Sequence, residues 1–169
     1  MPACSSTGRE SCSRLSVIKG FTLLELMVSL AILAILLAIG VPGFQSFIQN
    51  RQFNASLDGL ESALYLARSE AITRAENITL CRRNSGGNAC ENGNNWNNGW
   101  LVKTAGTVLR TWDAPSGGTT LNIAGGTAIT FTADGGINSN STYSFTISGG
   151  GSSCSLSVSP IGTLSTTGC

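Results

Sequence analysis

KGFTLLELMVSLAILAILLAIGVPGF, residues 19–44, decides how the rest of the chain is read. Its last 19 residues, 26–44, carry no charge and are long enough to cross the hydrocarbon core of a bilayer as a helix. Between Phe21 and Ile48 the only charged side chain is Glu25. A carboxylate beside so apolar a run is costly in lipid unless it is partnered, so Glu25 either has a function or sits at headgroup level. Upstream, residues 1–20 are polar and basic, with Arg9, Arg14 and Lys19 against Glu10. That basic flank predicts a cytoplasmic N-terminus. A secretory signal peptide fits poorly. Its apolar region would be about 7–15 residues and would close on small residues at a cleavage site. Here the run is longer and no A-x-A pattern ends it. Pro42, after Gly40 and Val41, lacks an N–H and crowds the preceding turn, which predicts a kink.

Lys19-Gly20-Phe21-Thr22-Leu23-Leu24-Glu25, between a basic leader and an apolar helix, resembles the prepilin processing site of type IV pilins and type II secretion pseudopilins. The resemblance implies cleavage between Gly20 and Phe21 by a membrane prepilin peptidase and N-methylation of Phe21. It also implies that Glu25 pairs with the N-terminal amine of a neighbouring subunit. A cationic amine offsets the cost of a carboxylate in lipid, so that pair would set the register in which subunits stack. Pilins commonly carry a proline at the depth of Pro42. Resemblance implies local melting there in the filament, with a simple bend as the alternative. Three segments follow: a cleaved leader (1–20), the transmembrane and assembly half of a helix (21–48), and a head outside the cytoplasm (49–169). The implied location is the bacterial inner membrane before assembly, then a pilus or a periplasmic pseudopilus.

Beyond Phe44 the pattern turns amphipathic. Phe53, Leu57, Leu60, Leu64, Ala67 and Ala71 recur at alternating steps of four and three, one apolar helical stripe that predicts packing on a sheet. The helix is expected to run from about residue 22 to 75. Short apolar runs then alternate with Gly/Asn turns, predicting strands at 78–82, 100–103, 108–113, 120–123, 128–132, 143–148 and 155–159. A long helix followed by such strands is an α+β arrangement, a helix laid on antiparallel sheet as in the pilin fold.

Of six cysteines, Cys4 and Cys12 lie in the leader and would be lost with it. Cys81, Cys90, Cys154 and Cys169 remain, and four cysteines allow three connectivities. Cys81–Cys90 and Cys154–Cys169 are favoured because each closes a local loop, worth about 2–3 kcal/mol in the chain-entropy picture. A zinc site lacks the C-x2-C pair it would need, and no metal or other cofactor is called for.

In the head, Leu64-Tyr65-Leu66-Ala67-Arg68-Ser69-Glu70-Ala71-Ile72-Thr73-Arg74 resembles the helix signature of the GspH/FimT family of minor pilins and pseudopilins. Ile78–Arg82, the stretch Trp96-Asn97-Asn98-Gly99-Trp100-Leu101-Val102, the Asp134-Gly135 turn and the terminal Cys169 follow in that family's order. The function implied is a minor type IV pilin, at or near the pilus tip, helping to prime assembly. A type II secretion pseudopilin is the alternative. The implied partners are other major and minor pilins through helix packing, the prepilin peptidase and the inner membrane. Some FimT-like pilins bind DNA through a Gly-Arg-x-Arg motif, but the matching stretch here is Gly162-Thr163-Leu164-Ser165. No Lys or Arg follows Arg110, so nucleic acid is disfavoured.

Composition agrees. The 169 residues include no His, which excludes His-based triads and His metal ligands. No phosphate-binding Gly loop before a helix and no G-x-S-x-G elbow is present, so an enzyme is not expected. From Phe21 on, seven basic face eight acidic residues, no field for a polyanion. Trp96 and Trp100 read as packing aromatics. Glu91 alone in the Asn-rich stretch is too little for calcium, and Arg82 and Arg83 read as a solvated face.

Overall fold

The computed structural model describes residues 20–169; the rest of the expected leader, with Cys4 and Cys12, lies outside them. The residues up to Gly40 form one compact unit and Val41–Cys169 another, the boundary falling two residues before Pro42.

One helix, α1 (Leu23–Arg74, 52 residues), contributes to both units. In the first unit its side chains are exposed throughout, and its sequence is long and apolar enough to cross a membrane. In the second unit α1 buries the stripe read from the sequence. Phe53, Leu60, Leu64, Ala67 and Ala71 are inside with Ala63, and Leu57 packs against them half-buried. The helix stops by geometry rather than at a glycine. Ala75 takes a left-handed φ of 54°, and the Glu76 N–H donates to the Ala71 carbonyl (3.3 Å), the bond of a Schellman cap. A Cβ in that conformation costs roughly 1–2 kcal/mol. Ala75→Gly is therefore expected to stabilise the head by about 0.5–1 kcal/mol after glycine's extra unfolded-state entropy is deducted. Urea melts of the full chain in detergent, disulfides intact, would register it as a higher midpoint.

Eight strands follow: β1 (Ile78–Arg82), β2 (Trp100–Lys103), β3 (Val108–Trp112), β4 (Thr120–Ala124), β5 (Ala128–Phe131), β6 (Tyr143–Gly149), β7 (Ser152–Val158) and β8 (Leu164–Thr167). They make two four-stranded antiparallel sheets rather than one, ordered β3-β2-β1-β5 and β4-β6-β7-β8. Both share a single core with α1. Alternation sets the buried faces: Leu121 and Ile123 of β4, Phe145 and Ile147 of β6, and Cys154, Leu156 and Val158 of β7 point in. β7 starts three residues before its expected place, because Gly150 and Gly151, both at positive φ, close a two-residue hairpin after Gly149. β8 was not expected at all. Leu164-Ser165-Thr166-Thr167 is an exposed edge strand with one apolar residue, so no apolar pattern announces it.

The Asn-rich segment between β1 and β2 joins the sheets. The Trp96 N–H donates to the Leu121 carbonyl (2.8 Å), the Ile123 N–H to the Asn94 carbonyl (2.8 Å) and the Leu121 N–H to Asn97 Oδ1 (2.8 Å). This segment thereby runs beside β4. Its Trp96 ring packs edge-on to Phe145, with centroids 5.1 Å apart and planes at 73°.

Candidate assembly and processing site

Gly20 and Phe21 precede α1: Phe21 is exposed, and among the described residues no atom beyond the chain neighbours lies within 4 Å of where a Cβ on Gly20 would stand. Thr22 starts the helix. Its carbonyl accepts the Leu26 N–H (3.2 Å), and its hydroxyl oxygen accepts the Glu25 N–H (3.2 Å). Thr22 is thus the N-cap and Glu25 the third helical residue, the T-x-x-E spacing of a capping box. The Glu25 carboxylate makes no ion pair or side-chain hydrogen bond among the described residues. It stands in the first turn, where the partial positive charge of the helix end favours an anion. Pro42 lies inside α1 and, lacking an N–H, gives the Ala38 carbonyl no helical hydrogen bond.

In the head, Cys81 is bonded to Cys90 and Cys154 to Cys169, with Cα atoms 5.6 and 4.9 Å apart. Trp96 and Trp100 are buried, and neither indole N–H has a partner. Arg82 and Arg83 are not a solvated face. Arg82 pairs with Glu91 (3.2 Å) and Arg83 with Asp113 (2.9 Å), both guanidinium side chains largely shielded beside the Cys81–Cys90 loop. A cleft of about 170 Å³ near Trp100, Trp112 and Ser56 has Asp113 as its one titratable lining residue.

Arg68 has a role that the sequence reading missed. From α1 it donates to the Gly162 carbonyl (2.8 Å) and the Ile161 carbonyl (3.3 Å), fastening the β7–β8 turn to the helix. Glu70 and Arg74 pair one turn further on. An arginine flanking an apolar helical stripe was the available signal.

An apolar N-terminal helix that runs on into a sheet-packed helix, behind Gly-Phe-x3-Glu, defines a pilin-like subunit. A family model described as "Type II transport protein GspH" matches residues 57–162, and one described as "Prokaryotic N-terminal methylation motif" matches residues 16–41. The chain belongs to the GspH family of type IV pilin-like proteins. Fimbrial protein Q of Moraxella bovis is 35% identical over 68 residues, a match covering 36% of this chain and 43% of that relative's length. The fold matches crystal structures of the type IV minor pilin FimU of Pseudomonas aeruginosa in two crystal forms. One has TM-score 0.54 at 22% identity, covering 68% of this chain and 91% of that one. The other has TM-score 0.57 at 20% identity, covering 70% and 90%.

Proposed function

We propose that this chain is a minor type IV pilin: a structural subunit, not a catalyst, that helps prime pilus assembly at or near the tip. One observation carries the reading. Gly20-Phe21, the Thr22 cap and a Glu25 with no partner among the described residues open a helix whose first half is apolar and exposed and whose second half is built into a disulfide-bonded head. On this reading the subunit waits in the inner membrane, N-terminus in the cytoplasm, until prepilin peptidase cuts after Gly20. The freed amine of Phe21, once N-methylated, then meets Glu25 of another pilin, and Gly40–Gly43 gives the helix a place to yield during packing. Pilin partners account for the apolar faces, and the paired arginines offer nothing to nucleic acid.

Gly20→Ala tests the first step. It should leave more than ~90% of the chain at the higher, uncleaved mass in the membrane, because a side chain at the cut obstructs the peptidase. Normal processing by intact-mass spectrometry would refute the cleavage assignment. A pseudopilin of a type II secretion system is the second reading, favoured by the description of the matching family. Deleting the chain distinguishes them: loss of surface pili supports the first, and loss of secreted enzymes with pili intact supports the second.

A further inference from the structure

Four places in the chain put a glycine directly after Asn or Asp: Asp58-Gly59, Asn92-Gly93, Asn98-Gly99 and Asp134-Gly135. At such a pair the glycine amide nitrogen can attack the carbonyl carbon of the preceding side chain, because no Cβ obstructs the approach. The attack needs an amide free of hydrogen bonding. Three of the pairs lack one. Gly59 lies inside α1, where its N–H belongs to the helical ladder. Gly99 is buried and its N–H donates to the Trp96 carbonyl (2.9 Å), while Arg83 Nε holds the Asn98 carbonyl (3.2 Å). The Gly135 N–H donates to the Thr132 carbonyl (2.8 Å). Hydrogen bonds from the Thr132 hydroxyl, and then from the backbone N–H groups of Asp134 and Gly136, also hold the Asp134 carboxyl below the usual carboxylate range. An ionised carboxylate is a poor electrophile.

Asn92-Gly93 differs. Asn92 is exposed, and the Gly93 N–H donates no hydrogen bond among the described residues. The pair lies between two fixed points. On one side the Glu91 N–H donates to the Arg82 carbonyl (3.0 Å), and on the other the Asn94 carbonyl accepts the Ile123 N–H of β4 (2.8 Å). Glycine stands here for a packing reason. Its φ is 149°, and Arg82 Nη1 lies 2.5 Å from where a Cβ would stand. A side chain at this position would displace the guanidinium that pairs with Glu91. The contact that demands glycine thus leaves a bare amide behind an exposed asparagine.

We propose that Asn92 is a site of spontaneous self-modification, in which the Gly93 nitrogen closes a succinimide on Asn92 and water reopens it to isoaspartate or aspartate. The bond from the Gly93 nitrogen to Asn92 Cγ forms as the Cγ–Nδ2 bond breaks. Ammonia leaves, carrying the proton that the glycine nitrogen gives up. Water then adds to one of the two ring carbonyls. Attack at Cγ restores the ordinary backbone as aspartate. Attack at the main-chain carbonyl carbon leaves the chain running through Cγ as isoaspartate. One water is consumed, one ammonia is released, and nothing is oxidised or reduced. Either product places a new carboxylate next to Glu91 and beside the glycine that Arg82 covers, so Arg82 gains a second anion within its surroundings. Isoaspartate also adds a methylene to the backbone between the Arg82 and β4 anchors.

The test incubates the full chain in detergent, disulfides intact, in mildly alkaline buffer made with heavy-oxygen water. Peptide mapping and isoaspartyl methyltransferase labelling follow each site with time. Residue 92 should convert steadily, take up one heavy oxygen atom and give isoaspartate in excess. Asp58, Asn98 and Asp134 should convert at least about tenfold more slowly, since a bonded amide reacts only after local opening. In the reduced chain unfolded in guanidinium chloride that protection is gone, and Asn98 should come within about threefold of Asn92. Asn92→Gln, whose longer side chain closes a six-membered ring far more slowly, should keep the wild-type melting midpoint and show no product at residue 92. An Asn92 that stays intact in the folded chain overturns the proposal. So do equal rates at Asn92 and Asn98 in the folded chain, or a gap between them that persists undiminished after unfolding.

Discussion

Glu25→Val is expected to lower incorporation into filaments by roughly ten- to a hundredfold while membrane insertion and leader removal continue. The carboxylate has no partner within its own chain among the described residues, and it stands in the first turn of α1, directly before an exposed apolar run. A hydrogen bond to a charged group is worth about 1.5–3 kcal/mol, and each ~1.4 kcal/mol is a factor of ten. Valine also removes an anion from the first turn, worth about 0.3–1 kcal/mol to the helix end. Glu25→Gln separates the two effects. Glutamine keeps the T-x-x-E/Q spacing with Thr22 but carries no charge to meet an amine. Quantitative blots of processed chain in sheared filaments against membranes would give the ratio. If charge pairing is the cause, Gln stays close to Val. Recovery by Gln would move the role to the helix start, and wild-type incorporation of Val would remove the pairing role.

The second large effect concerns the head. Trp96→Ala should destabilise it by about 3–5 kcal/mol, the range for removing a buried aromatic side chain. Against a typical total of about 5–15 kcal/mol, that loss is enough to lower the level of the chain in cells. Trp96 is fully buried, its ring meets Phe145 of the second sheet, and its N–H reaches Leu121 of β4. It therefore joins elements that no other part of the β1–β2 connection joins through a side chain of that size. Trp96→Phe should cost less than half as much. Phenylalanine keeps most of the ring and dispenses with an indole N–H that has no partner. Urea melts with disulfides intact would separate the variants, and equal losses would show that the indole N–H is satisfied after all.

These two residues differ in how far the sequence announces them. Glu25 stands just before an apolar run, so its place near the start of a helix was legible, while the role given to it came from the resemblance of Gly20-Phe21-x3-Glu25 to a prepilin processing site. The stripe from Phe53 to Ala71 was equally open, because burial on one side of a helix leaves a period of about 3.6. Seven strands stood out by alternation between glycine turns. The division of those strands into two sheets did not, since it depends on long-range pairing, β5 returning to β1 while β4 pairs with β6, which local alternation does not encode. The same limit hid Arg68, whose acceptors lie over ninety residues away, and made Arg82 and Arg83 look solvated although Glu91 and Asp113 neutralise them. Polar edge strands such as β8 carry no apolar signature, because neither face is deeply buried.

The bond from Cys154 to Cys169 encloses the second part of β7 from Cys154 on, the turn held by Arg68 and the whole of β8 in a covalent ring. An open edge strand is ordinarily the first to peel away or to swap into a neighbour. Here peeling has nowhere to begin. Cys169, just beyond β8, is bonded to β7, the strand next to it, so a displacement of β8 is carried straight to β7. β8 is thus joined to the sheet by a covalent bond as well as by its ladder to β7, and reduction of Cys154–Cys169 would leave the ladder and the Arg68 hydrogen bonds to hold it.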